Sequence, residues 1–403
     1  MATRVILLAL ALACPAAAFA PAALSARRAP TAPAMATIDR ETEAAAETYD
    51  PTGCLNPPLS TNNAGDVWVP QLARPRRNRK SPAMRQMVRE TSVSAANFIY
   101  PLFIHESDTV EDISSMPGAQ RHSLESMLRE VGEAYALGVR SFILFPKVDD
   151  ALKTNYAEEA YNPDGLVPRA VRMLKEKYPQ AIVCTDIALD PYSSMGHDGV
   201  IIDGKIANDV TIAQLCKQAV CQARAGTDVI GPSDMMDGRV GALRMALDSE
   251  GFTDVSIMSY TAKYASAFYG PFRDALDSHP VDAGADGPPP NKKTYQQDPA
   301  NSREALVEAE LDVAEGADML MVKPGMPYLD IIQRLKDATN LPIAAYHVSG
   351  EYAMMKAAAE RGWIDERAVV LEALMCFRRA GADVILTYYA KQAAQWLKEE
   401  QEE

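Results

Sequence analysis

A short phrase recurs along this chain: LGVRSFILF from Leu137, AGTDVIGPS from Ala225, EGADMLMVK from Glu315 and AGADVILTY from Ala380. In each, a glycine that can end a helix is followed within a few residues by an apolar run suited to a buried strand. Four further runs, NFIYPLFI, AIVCTDIAL, VSIMSYTA and LPIAAYHV, bring the number to eight. Amphipathic helical segments fall between most of them. Alternating helices and buried parallel strands, eight over about 300 residues, predict an α/β chain folded as a (β/α)8 barrel. A doubly wound open sheet is the alternative. No GxGxxG follows the first strands, so a dinucleotide fold has little support.

In a barrel of this kind the active site is built at the carboxyl ends of the strands. Those ends supply Asp186 in the third run, Ser233 and Asp234 just after the fourth, Lys263 after the fifth and Lys323 in the sixth. The seventh and eighth add Ser349 and Tyr388. Lys323 closes a buried run and is followed at once by Pro324 and Gly325. Burying an ammonium costs free energy, so a lysine there tends to lose its proton, and a neutral amine attacks a ketone or aldehyde to form a Schiff base. The plainer role is a strand-end lysine turned to solvent or to a carboxylate. Two amines on neighbouring strands also repel each other's charge, which lowers at least one pKa.

Beyond the fifth run, residues 269–299 are long and rich in Pro and Gly, the composition of a loop or lid and not of a barrel wall. They contribute Arg273, Lys292 and Lys293, which suit a substrate carboxylate or else form a solvated basic patch. After the third run, Asp190 and Asp198 flank a turn containing Gly196, with His197 between them. Carboxylates facing one cation would suit Mg²⁺ better than Zn²⁺, while a solvated turn is the common explanation of such a pair.

The ends of the chain add targeting and assembly. Residues 1–38 hold no Asp or Glu, and their charges are Arg4, Arg27 and Arg28. A short apolar run after Arg4, too short to span a bilayer, and the small residues after it look like a secretory signal, and with Phe19 and the following stretch rich in Ala, Ser, Thr, Pro and Arg they resemble the two-part leader of proteins sent to plastids. Residues 39–97 show no sustained period and are read as an N-terminal arm, leaving 98–403 for the catalytic barrel with a lid at about 269–299. Within the arm, Arg74 to Lys80 carries five basic residues. With a net charge of -14, the expected partner of that segment is an acidic surface of a neighbouring subunit and not nucleic acid. Six cysteines without CxxC pairing are expected to be reduced thiols.

The motifs RPRRNR, YPLFIHE, DPYSSMGHDG, GPSDMMDGRV, SYTAKYASAFYGPFRDA, KKTYQQDPAN, MLMVKPGMPYLDI, YHVSGEYAM and AGADVILTYYA closely resemble those of the porphobilinogen synthase (delta-aminolaevulinate dehydratase) family, from about Arg74 to the C-terminus. The resemblance implies asymmetric condensation of two delta-aminolaevulinate molecules to porphobilinogen with loss of two waters, for haem and chlorophyll. It implies dimers assembled through their arms as a homo-octamer. Lys323 matches the Schiff-base lysine of the propionate-side substrate and Lys263 that of the acetate side. Arg273, Lys292 and Gln296 match residues holding the first substrate's carboxylate, and Ser349 and Tyr388 those holding the second's. Zinc-dependent members carry cysteines where this chain has Ala188, Asp190 and Asp198, so the resemblance is to the magnesium-using plant, algal and bacterial type. There a carboxylate follows the loop arginine as an allosteric ligand; here it is Asp274, with Asp228 as its outer partner. A class I aldolase would need one reactive lysine and would usually bind a phosphate. An idle oligomer binding metal or nucleic acid through Arg74 to Lys80 would not need intact residues at every rim position.

Overall fold

The computed structural model describes residues 60–61, 67–68, 73–281 and 288–402. The expected leader, much of the arm and a few residues of the lid lie outside the described residues. The chain divides into two compact units, Met1–Val88 and Arg89–Glu403. In the first, Pro75–Arg79 forms a 3-10 turn and Pro82–Met87 a short α-helix, neither burying any residue. Ser81 starts that helix by accepting the Met84 N–H at 3.2 Å, with Pro82 at its first position.

The second unit is the barrel. Its strands are β1 (Phe98–Ile104), β2 (Ser141–Pro146), β3 (Ile182–Ile187), β4 (Val229–Pro232), β5 (Ser256–Lys263), β6 (Met319–Lys323), β7 (Ile343–His347) and β8 (Val384–Thr387). All eight coincide with the apolar runs of the sequence. Each pairs in parallel with the next, and β8 returns to β1 through Ile385 opposite Phe98, which closes the sheet. The surrounding helices are α1 (Leu124–Ala136), α2 (Leu166–Lys177), α3 (Asn208–Ala225), α4 (Arg239–Ser249), α5 (Glu304–Glu315), α6 (Leu329–Ala338), α7 (Glu366–Ala380) and α8 (Ala390–Glu402). Two more helices lie over the carboxyl ends: a lid helix, Gly270–Leu276, and a rim helix, Ser349–Glu360.

The recurring phrase has a mechanical meaning. Gly138, Gly226, Gly316 and Gly381 take φ of 97°, 108°, 99° and 112°, a region that side chains with a Cβ rarely adopt. The residue after each glycine donates its N–H to the carbonyl five residues earlier, as in Thr227 to Gln222 at 3.2 Å and Ala382 to Phe377 at 3.0 Å. In three of the four, an aspartate then stitches the next strand to its neighbour. Asp228, Asp318 and Asp383 accept the N–H of Val183, Ile257 and Ile343 at 2.8, 2.7 and 3.0 Å. Helix stop and strand start are thus written in the same few residues.

Side chains alternate across the wall. Leu102, Phe142, Leu144 and Val183 pack outward on Met127, Val131, Val171 and Leu174 of α1 and α2. Each fully buried side chain of this kind contributes about 1.5 to 3 kcal/mol.

Candidate active site

The two lysines meet because of an irregularity. Ser259 of β5 lies opposite Leu320 of β6, but Ala262 lies opposite Val322 and Lys263 opposite Lys323. The strand β5 therefore uses one more residue than β6 over this stretch, a bulge. In a regular ladder Ala262 would sit beside Lys323, with Lys263 on the other face. The bulge brings both amines to one level and one face.

Their surroundings differ. The Nζ of Lys323 lies among four rings, 4.4 Å from the centre of Tyr346, 4.9 Å from Phe272 and 5.2 Å from both Tyr260 and Tyr269. The described residues offer it no hydrogen-bond or ion-pair partner. Burial, reinforced by the charge of Lys263, pushes its pKa down to about 7. Lys263 is held: its Nζ donates to Asp198 Oδ1 at 3.2 Å and to the carbonyl of Ser233.

Asp198 is the hub of the polar side. Its Oδ2 accepts from Lys292 at 2.8 Å and from the Tyr295 hydroxyl at 2.9 Å. Burial alone would raise its pKa, but Lys263 and Lys292 outweigh burial and hold the carboxyl well below the usual range. Lys292 also donates to Asp190 Oδ2 at 3.1 Å. Burial works against its charge, and Asp190 and Asp198 more than restore it, raising its pKa. His197 Nε2 lies 2.8 Å from the Pro289 carbonyl, which can only accept, so this nitrogen carries a proton. Its Nδ1 is 3.0 Å from the Tyr295 hydroxyl.

Asp186, on β3, has a buried Oδ1 without a partner among the described residues. Burial and then the charge of Asp190 raise its pKa to about 7. Its place at the rim follows from the sequence; its proton does not, because that depends on neighbours from other strands.

Asp190, Lys263, Arg273, Lys292, Gln296 and Lys323 line one cavity of about 20 Å³, roofed by Tyr269 and Phe272 of the lid. That volume holds about one water. The Gln296 Oε1 is buried without a partner among the described residues. Ser349 and Tyr388 stand behind this lining. Tyr388 bonds the Tyr346 hydroxyl at 2.9 Å, one ring away from Lys323. Ser349, the first residue of the rim helix, accepts the Phe272 N–H at 3.0 Å and donates to the Phe268 carbonyl at 3.3 Å, so it ties down the lid.

The expected metal ligands fall in two places, Asp190 and Asp198 together around Lys292 and Asp274 on the lid helix. Asp190 and Asp198 are matched by the ammonium groups of Lys292 and Lys263. Among the described residues no group of three or more His, Cys, Asp and Glu converges. Asp274 is on the lid helix, half exposed, 3.4 Å from His279 Nε2. One exposed carboxylate suits Mg²⁺, which keeps several waters. Asp228 lies at the other end of the barrel within one chain, paired with Lys175 at 2.9 Å. Among the described residues no thiol lines the cavity. The described cysteines, Cys184, Cys216, Cys221 and Cys376, are free, and burial raises the first three, Cys184 to about 12.

A barrel presenting a bare amine titrating near neutrality, with a second amine beside it, is equipped for imine chemistry on carbonyl substrates. The chain belongs to the Delta-aminolevulinic acid dehydratase family, which it matches over residues 72–396. The chloroplastic Delta-aminolevulinic acid dehydratase of Physcomitrium patens is 62% identical over 349 residues, covering 85% of this chain and 79% of that protein. Delta-aminolevulinic acid dehydratase 1, chloroplastic, of Arabidopsis thaliana is 60% identical over 346 residues, covering 84% and 79%. A crystal structure of the Toxoplasma gondii ME49 enzyme in complex with the reaction product porphobilinogen superposes with a TM-score of 0.82 at 60% identity, covering 85% of this chain and 96% of that one.

Proposed function

We propose that this chain condenses two molecules of delta-aminolaevulinate to porphobilinogen, a lyase reaction that releases two waters and feeds haem and chlorophyll synthesis. The observation that carries the proposal is the register pairing of Lys263 with Lys323, one held by a carboxylate and the other bare with a pKa of about 7. Lys323 as a neutral amine attacks the keto carbon of the propionate-side substrate, and loss of the carbinol hydroxyl as water leaves an imine. Asp186, titrating near the same pH and interacting electrostatically with Lys323, would give that hydroxyl its proton. Lys263 serves the acetate-side substrate once Asp198 releases it. Both amines lie on adjacent strands, which a single-lysine aldolase would not need.

Arg273, Lys292 and Gln296 would hold the first carboxylate, and Ser349 and Tyr388 the second. Two substrates do not fit a space that holds about one water, so the lid opens to admit them and Lys292 trades Asp190 and Asp198 for the substrate. Mg²⁺ at Asp274 would supply a charge that steadies the assembled form, with the arms joining subunits into an octamer and the basic segment Arg74 to Lys80 meeting an acidic neighbour. The relatives named chloroplastic and the composition of residues 1–38 support a plastid location. Among the described residues no helix is long and apolar enough to cross a membrane.

The test is direct. The chain without its leader, given delta-aminolaevulinate alone, should form porphobilinogen, and absence of product under magnesium would overturn the reading.

A further inference from the structure

The lid helix, Gly270–Leu276, ends on a cluster of cations that the chemistry above does not use. Arg121, in the short strand Gln120–His122 beside β1, donates from Nε to the Ala275 carbonyl at 2.7 Å and from Nη2 to the Asp274 carbonyl at 2.9 Å. Its Nη1 donates to Glu111 Oε2 at 3.2 Å. Lys147, just after β2, pairs with the Asp277 carboxylate at 2.8 Å. Lys153 donates to the Asp277 carbonyl at 3.1 Å and pairs with Asp150 at 2.8 Å.

The last carbonyls of a helix lack intrahelical partners and form the negative end of its dipole, so one cation there is ordinary capping. Arg121 does more than supply charge. Its planar fork grips two consecutive carbonyls while Glu111 fixes the third nitrogen, and its side chain is only 14% exposed. Gripping residues 274 and 275 fixes the direction of the peptide chain immediately after Arg273, whose side chain lines the cavity with Lys292 and Gln296.

We propose that Arg121 is a positioning residue: by holding the Asp274 and Ala275 carbonyls it seats the lid helix so that Arg273 meets the substrate carboxylate. The proposal rests on the reading of Arg273 as a carboxylate clamp.

The test is a double-mutant cycle on the full enzyme with Arg121→Ala, Arg273→Ala and both. Arg121→Ala should raise KM for delta-aminolaevulinate about tenfold while kcat changes less, and should add nothing in the Arg273→Ala background. Arg121→Lys, which keeps the charge and loses the fork, should retain most of the defect. Amide exchange at Asp277 and Ser278, which both bond the Arg273 carbonyl, should quicken in Arg121→Ala, with β5 and β6 still protected as proof of an intact barrel. A normal KM in Arg121→Ala, full rescue by Arg121→Lys, or equal losses in both backgrounds would overturn the positioning role. A wild-type Arg273→Ala would overturn the clamp beneath it.

Discussion

Lys263 and Lys323 differ by their neighbours and not by their place in the strand. Rings around Lys323 remove water without giving the ammonium a counter-charge, whereas Lys263 keeps Asp198. Lys323→Ala should therefore abolish turnover, and Lys323→Arg should not restore it, because a guanidinium stays protonated. Borohydride in the presence of substrate should attach label to a peptide containing Lys323; labelling only elsewhere, with an active Ala variant, would remove the central assignment. The pH dependence has a definite sign. Below about 7 Lys323 carries its proton, so kcat/KM should fall as pH drops through that value. Above about 7 Asp186 loses its proton, giving an opposing limb, and the two apparent values belong to the pair. The charge of Asp186 raises the Lys323 pKa, so Asp186→Asn should move the acid limb to lower pH. An unmoved limb would uncouple the two groups.

Among the elements, the lid and the rim helix act as one surface. Gly350 lets them touch: a Cβ there would stand 2.5 Å from the Phe268 carbonyl oxygen and 2.8 Å from its Cα, both backbone atoms that cannot swing aside. Gly350→Ala should improve the helix's own propensity yet push the lid away, raising KM about tenfold, equivalent to about 1.4 kcal/mol. Unchanged kinetics would show that the lid is seated elsewhere. Four of the eight strands were readable because helix stop and strand start share one local phrase, Gly followed by an apolar run, and the other four as apolar runs set between helical segments. The bulge in β5 was not, since register is a property of two strands and Ser259 to Lys263 shows no glycine or proline to mark it. The helix inside the lid was hidden for a related reason: Gly270 and Pro271 look like loop residues, and Arg121 secures its far end from 153 residues away. Likewise Lys263, Lys323, Arg273 and Lys292 were readable as strand-end or loop cations, but the engagement of Lys292 by Asp190 and Asp198 depends on loops separated by about 100 residues.

For the whole molecule, the barrel places its amines at one end, while assembly is a question of charge. The net charge of -14 means that copies of this chain repel one another unless specific contacts or cations intervene. Asp274→Ala should lose magnesium stimulation and shift the protein to smaller oligomers, with Lys323 still open to borohydride labelling in the presence of substrate. Stripping with a chelator, then assaying and sizing while each metal is returned, checks this; restoration by trace zinc with no response to magnesium would reverse the metal assignment. Among the described residues the donors around the two amines are oxygen and nitrogen, and the described thiols lie outside the cavity, with burial raising the pKa of Cys184, Cys216 and Cys221. Among the described residues mercuric or cadmium ions and alkylating agents find no thiol in the cavity, and turnover should persist at doses that poison a thiolate-dependent enzyme.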